Sequence, residues 1–152
     1  MYETSHKYKR TDVQRKNQRL SWQRSDKAFF ASGACHILAY TFFDLHRNEG
    51  YKIIGLDTGQ GYASHVYISD GNWAFDFNGW TKEEELLSVT ESISKEINPN
   101  WSYKRMLIED DLETFCEKNY HRRPAYFLHL PWERTYNFIS QFSDTPPEST
   151  SS

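Results

Sequence analysis

The chain has few of the residues that mark a secreted, disulfide-bonded or membrane-spanning protein. It holds two cysteines, Cys35 and Cys116, in 152 residues, too few for a disulfide framework, which a domain of this length does not need. No apolar run approaches the roughly 20 residues of a membrane span, and the N-terminus lacks the apolar core of a secretory signal. These absences predict a cytoplasmic protein with no membrane partner.

A large net charge is also missing, but the charges are unevenly distributed. The chain as a whole carries −3, whereas residues 1–27 hold eight Lys and Arg against three Asp and Glu. A basic segment on an acidic body is typical either of a solvated terminus or of a site for an anionic partner. No aromatic RNA-binding signature accompanies it, so nucleic acid is not the expected partner.

The chain is rich in aromatic residues, which make up 16% of it and suit a packed core or the walls of a cleft. We expect residues 1–20 to be loosely ordered or to form a peripheral helix, 21–143 to form one domain and 144–152 to be disordered. Helices and strands mix without strict alternation, which predicts an α+β fold. The predicted helices cover about 35–47, 82–95 (after a Thr81–Glu84 capping box with Thr81 as N-cap), 111–120 and 131–142, and the predicted strands cover 51–56, 65–69, 72–76, 101–108 and 125–130.

A predicted hairpin between residues 65 and 76 gives the sharpest geometric expectation. Asp70-Gly71 favours a two-residue type I′ turn, which places His65 directly opposite Asp76. Opposed residues have Cβ atoms about 4.5–5.5 Å apart, so the imidazole can donate to the carboxylate and be held in one tautomer. Because side chains alternate along a strand, both residues share the polar face, which we expect to lie away from the core. The alternative is a purely structural pair on a solvated face.

The first residue of the predicted helix, Cys35, is the candidate nucleophile. A helix N-terminus and a nearby imidazolium both lower the pKa of a thiol, and the backbone N–H groups there can bind an oxyanion. Cys116 lies in the middle of a predicted helix and has neither feature, which is typical of a small buried apolar residue.

These segments resemble the papain-like cysteine hydrolases in the broad sense, a superfamily that includes transglutaminase-like enzymes and bacterial cell-wall amidases. The resemblance rests on 32–39, 64–68 and 73–76. It implies a small antiparallel sheet packed on a central helix that begins at the nucleophile. It also implies Cys35 as nucleophile, His65 as general base and acid, and Asp76 as the residue that orients His65.

The sequence departs from this resemblance at the oxyanion hole, because no Gln lies a few residues before Cys35. Gln23 and Gln60 are substitutes that do not match by spacing. Gln60, Asn78 and Trp80 are the candidate substrate-binding residues.

A metal site is not expected, because neither an HExxH motif nor paired CxxC motifs occur. Cys35 and His36 are also expected to point to different sides of the helix. The predicted chemistry requires no cofactor.

The sequence therefore predicts thiol-dependent hydrolysis or acyl transfer on an amide, isopeptide or ester bond. The substrate would be a protein, a peptide or a small amide. The alternative is a non-catalytic binding module that holds an anionic partner with its basic N-terminal arm and aromatic surface.

Overall fold

Five strands form a single antiparallel sheet in the computed structural model, which describes residues 2–147. The sheet order is β4-β3-β2-β1-β5. Together with the helices, this sheet makes the fold α+β, as predicted. The strands are β1 Lys52–Asp57, β2 His65–Ser69, β3 Trp73–Asp76, β4 Gly79–Lys82 and β5 Lys104–Ile108.

Helices cover both faces of the sheet. The α-helices are α1 Asp12–Lys16, α2 Gln18–Trp22, α3 Asp26–Ala31, α4 Cys35–Leu45, α5 Glu83–Ile97, α6 Leu112–Asn119 and α7 Trp132–Ile139. Two short 3-10 helices are Ser5–Tyr8 and Pro124–Tyr126. Within residues 2–147, no helix is both long and apolar enough to cross a membrane.

The main core lies between α4 and one face of the sheet. Every residue of α4 from Cys35 to Phe42 is buried, because apolar side chains occupy most of its circumference. Phe42 stacks on Phe75 of β3, with ring centroids 4.5 Å apart. Burying one such ring stabilises the fold by about 2–3 kcal/mol, and this packing fixes the start of α4 relative to β2 and β3.

The opposite face of the sheet is buried as well, so the expectation that it lies away from the core is wrong. The amphipathic helix α5 places Leu86 on this face, and Tyr2 closes it from the N-terminal side. Tyr67 lies on the same face and is fully buried. Its hydroxyl is satisfied there because it donates to the Glu83 carboxylate at 2.6 Å. A polar side chain can therefore be part of this layer when a buried partner satisfies it.

The hairpin between β2 and β3 forms, but its register differs from the prediction by two residues. Ile68 pairs with Phe75, whereas the expected partner was Trp73. Direct pairing of His65 with Asp76 is therefore wrong, and the two are diagonal neighbours instead. A shift of two residues returns every side chain to its own face, so His65 and Asp76 still share one face.

The loop of the hairpin accounts for this shift. The Asp70 N–H donates to the Trp73 carbonyl at 3.1 Å, which centres the two-residue loop on Gly71 and Asn72. Gly71 has a φ of 97°, a conformation that glycine adopts without strain. The Asp70 carboxylate accepts from the Asn72 and Trp73 N–H groups at 2.8 and 2.7 Å. Asp70 therefore stabilises the loop from the position just before it and is not one of the two central residues.

Two further element predictions are wrong. The predicted strand at 125–130 is a 3-10 helix followed by bends, because Phe127 packs against Phe29 in the helical layer, at 5.7 Å between ring centroids, and not at a sheet edge. The predicted capping box fails because Thr81 belongs to β4 and pairs with Ala74. Lys82 is then the N-cap of α5.

The N-terminal segment, expected to be loosely ordered or to form a peripheral helix, packs against the rest of the domain. It contains three short helices, and Tyr2 is only 4% exposed. Arg24 connects this segment to the turn before α4 by donating to the carbonyls of Tyr8 and Ser32. Of the tail predicted to be disordered, 144–152, residues 148–152 lie outside the described part of the chain.

Candidate active site

His65 and Asp76 meet at one end of the hairpin, where β2 begins and β3 ends. The His65 Nε2–H donates to Asp76 Oδ2 at 3.0 Å, and both side chains are buried. The Tyr2 hydroxyl donates to the same oxygen at 2.7 Å, and the Asn78 N–H donates to Oδ1 at 2.9 Å. The carboxylate is thus held on three sides and fixes the orientation of the imidazole.

This arrangement leaves His65 Nδ1 as the nitrogen free for chemistry. Within the described chain, this atom is buried and has no hydrogen-bond partner. Burial alone would lower the pKa of His65, but the hydrogen bond to Asp76 and then the interaction with Cys35 raise it to about 9. These two interactions favour the protonated form of the imidazole.

Cys35 is the first residue of α4, and it is 3% exposed. Burial would raise the pKa of its thiol, but interactions with His121, His36 and His65 lower it well below its ordinary value. No side chain caps this end of α4, so the N–H groups of its first turn face the sulfur region without partners inside the helix. The thiolate is the form that this environment stabilises.

Sequence reasoning missed two of the three imidazoles around Cys35. His36 Nε2–H donates to the Arg122 carbonyl at 2.6 Å, and His121 Nε2–H donates to the Ala63 carbonyl at 2.7 Å. Burial lowers the pKa of His36, which keeps that ring neutral. Burial also acts to lower the pKa of His121, but the interaction with Cys35 outweighs it and raises the pKa.

Cys35, His36 and His121 are spaced so that they can hold a metal ion. Their ligand atoms all lie within 4.8 Å of one another. The expectation that Cys35 and His36 diverge is therefore wrong, because side chains in the first turn lean back off the helix end. A thiolate with two imidazoles, each bonded to a backbone carbonyl through its other nitrogen, suits Zn²⁺ with one position open.

Two cavities adjoin these residues. Cys35 and His121 line one of about 270 Å³. His65 and Tyr2 line another of about 200 Å³, which also contains the predicted substrate-binding residue Gln60. Ser5 and Lys9 line both cavities, so the N-terminal segment separates them. A larger cavity, of about 570 Å³, lies elsewhere, and none of its lining residues is a cysteine or a histidine.

The other two predicted substrate-binding residues make contacts within the protein. The Asn78 side chain donates to the Glu3 carbonyl at 2.8 Å. The Trp80 indole donates to the Ser143 carbonyl at 2.9 Å, and its ring packs edge-on against Phe75. These contacts hold the two ends of the described chain to β3 and β4.

Cys116, the second cysteine, lies in α6 and is buried. Burial and then the nearby Glu113 raise the pKa of its thiol to about 12. The pKa of this thiol is therefore shifted in the opposite direction from that of Cys35.

Comparison with protein-family models, with curated proteins and with solved structures finds no match to this chain.

Proposed function

We propose that the protein is a thiol-dependent hydrolase or acyltransferase that acts on an amide, isopeptide or ester bond through Cys35, His65 and Asp76. The observation that carries this proposal is the orientation of His65. Its Nε2–H is bonded to Asp76 while its buried Nδ1 has no hydrogen-bond partner in the described chain, next to a thiol whose pKa is strongly lowered. That is the relation of base to nucleophile that acyl transfer requires.

The chemistry follows from these positions. The Cys35 thiolate attacks the carbonyl carbon and forms a C–S bond, and the N–H groups at the start of α4 stabilise the oxyanion. His65 then gives its Nδ1 proton to the departing amine or alkoxide as the C–N or C–O bond breaks. Water or an amine, activated by the now neutral His65, attacks the thioester, and the returning proton restores the starting state.

The architecture supports the papain-like assignment as part of the same proposal. An apolar helix starts at the nucleophile, and two adjacent antiparallel strands carry the base and its carboxylate. Both cysteines are free thiols, which fits a reducing cytoplasm as the place of action.

Alkylation of the folded protein tests the proposal without knowledge of the substrate. At pH 6, iodoacetamide should modify Cys35 at least ~100 times faster than Cys116, because only a thiolate reacts. Peptide mapping by mass spectrometry measures both rates. His65→Ala should slow the reaction of Cys35 about tenfold or more, whereas His129→Ala, an exposed histidine, should leave it unchanged. Slow and equal labelling of both cysteines contradicts the proposal.

The second candidate is a module that holds an anionic partner without chemistry. Its support is the basic N-terminal segment, four of whose side chains adjoin or line the Cys35 cavity. Cys35→Ala distinguishes the two functions: it abolishes acyl transfer in an enzyme, whereas a binding module retains its salt-sensitive interaction.

A further inference from the structure

The cavity beside Cys35 has a strongly basic wall. Among its lining residues, all of which are described, there is no aspartate or glutamate. Cys35 and four cationic residues line this cavity together. These cations are Lys9, Arg10, Arg15 and Arg122.

Arg10 lies against the turn that leads into Cys35. Its guanidinium rests on Gly33, two residues before Cys35, and a Cβ built on Gly33 would come within 3.3 Å of it. Within the described chain, the Arg10 Nε is buried and has no hydrogen-bond partner. Burying part of an unpaired guanidinium costs free energy, and an anionic ligand that paired with it would offset that cost.

The neighbours of Arg10 increase this cost. Burial, followed by repulsion from Arg122, Arg24 and Arg15, lowers the pKa of Arg10 to about 10. Backbone carbonyls hold two of these neighbours. Arg24 donates to the Ser32 carbonyl at 2.7 Å, and Arg122 donates to the Arg15 carbonyl at 3.1 Å. Arg15 donates to the Arg10 carbonyl at 3.2 Å and also lies 3.9 Å from the exposed carboxylate of Asp12. Carbonyls fix the positions of Arg24 and Arg122 but leave their charges uncompensated.

We infer that this cavity binds an anionic group, a carboxylate or a phosphate, that the substrate carries beside the carbonyl attacked by Cys35. The inference rests on the proposed function, because it places the anion relative to the acylated sulfur. Guanidinium groups bind both kinds of anion in a bidentate manner. A volume of about 270 Å³ accommodates such a group together with the reacting carbonyl.

The basic segment then has a different role from the one the sequence suggested. Lys9, Arg10 and Arg15 belong to the wall of the candidate active site, and they are not a separate arm that binds a second partner. The uneven charge of the sequence and the reactive thiol become two parts of one site. Neutral acyl donors of the same size are expected to be poor substrates.

Two alkylating reagents that differ in charge but little in size test this inference. Iodoacetate is an anion and iodoacetamide is neutral, and each forms an S–CH₂ bond while iodide leaves. The ratio of their rates at Cys35, divided by the same ratio for glutathione, measures the preference for an anion. In the wild type, we expect iodoacetate to be favoured at least ~10-fold in low salt, and the preference to fall as KCl is added.

Variants show which groups are responsible. Arg10→Gln should lower the preference for iodoacetate over iodoacetamide about fivefold, and Arg122→Gln should act in the same direction. Arg47→Gln is the matched control, because Arg47 pairs with Asp44 near the opposite end of α4. If Arg10→Gln does not fold, Arg122→Gln and the KCl series on the wild type decide the question.

The outcomes separate this inference from the proposed function. A Cys35 that reacts with neither reagent contradicts both. A Cys35 that reacts quickly but without a charge preference, or with one that the two variants leave unchanged, contradicts the anion site alone. Protection of Cys35 from iodoacetamide by succinate, by inorganic phosphate or by both identifies the anion that the site accepts, and protection by neither also contradicts it.

Discussion

The chemical state of one sulfur depends on three imidazoles that differ in charge. His36 is kept neutral by burial, whereas Cys35 raises the pKa of both His65 and His121. The thiolate form of Cys35 and the protonated forms of His65 and His121 stabilise one another by charge. The pKa of Cys35 therefore depends on the whole cluster, and a change at a partner should alter it.

Asp76→Asn tests this coupling at the residue scale. The hydrogen bond to Asp76 is the largest of the effects that raise the pKa of His65, and these effects together outweigh the opposing effect of burial. Without it, we expect the pKa of His65 to fall by at least about 1 unit, and the pKa of Cys35 to rise because the imidazolium is lost at lower pH. NMR titration of His65 and the pH profile of iodoacetamide modification measure the two values. Unchanged values would show that Asp76 only supports the fold.

At the scale of single elements, the first residue of α5 joins the helix to the sheet. Glu83 is buried and accepts from Tyr67 and Ser69 of β2 at 2.6 and 2.7 Å. Arg105 of β5 pairs with it at 3.0 Å. One carboxylate therefore connects three elements on the face that also carries His65 and Asp76.

Glu83→Gln should destabilise the protein by about 2–3 kcal/mol, because Arg105 loses its buried partner. Urea unfolding measures the change, and the exposed neighbour in Glu84→Gln is the control, with an expected change below about 0.5 kcal/mol. A loss no larger than that of the control would contradict this role for Glu83.

The pH dependence of the same contact has a definite sign. Burial would raise the pKa of Glu83, but Arg105, Tyr67 and Ser69 together lower it below its ordinary value of 4.5. Its contribution to stability is therefore present above about pH 4.5 and is lost as the pH falls through the folded-state value. The wild type and Glu83→Gln should converge in stability in acid.

The hairpin shows what a sequence pattern can establish about an element and what it cannot. Alternation correctly placed His65 and Asp76 on one face, because the period of a strand is two. The register was wrong because Asp70-Gly71 and Gly71-Asn72 are both acceptable turn centres, and only the carboxylate contacts of Asp70 distinguish them. An error of two residues left the polar pair intact, whereas an error of one would have separated it.

At the scale of the whole molecule, the candidate site contains residues that no local pattern could join to Cys35. His121 follows α6, far from Cys35 in the sequence. Tyr120 adopts a φ of 59° there and turns the chain back toward Ala63. Tyr2 reaches Asp76 across 74 positions of sequence. Such contacts come from tertiary packing, which local spacing does not encode.

Tyr2→Ala tests whether the N-terminal segment is an integral part of the domain. Tyr2 is 4% exposed, and truncating a buried aromatic side chain costs about 3–5 kcal/mol. Tyr126→Ala, at a position that is 56% exposed, should cost less than about 1 kcal/mol. Equal midpoints of urea unfolding for the two variants would mean that the segment is a loose arm.

The distances in sequence between the groups around Cys35 have a consequence for biosynthesis. His36 is positioned by Arg122, 86 residues further along the chain, and His121 emerges from the ribosome at nearly the same time. Until that part of the chain is made and folded, Cys35 is an ordinary thiol with an ordinary affinity for electrophiles. Contacts between residues far apart in sequence carry a large loop-closure cost during folding, so under the proposed function a chain that stops before residue 121 would lack the activated sulfur. Activation of Cys35 would wait until residues 121 and 122 had been made and folded into place.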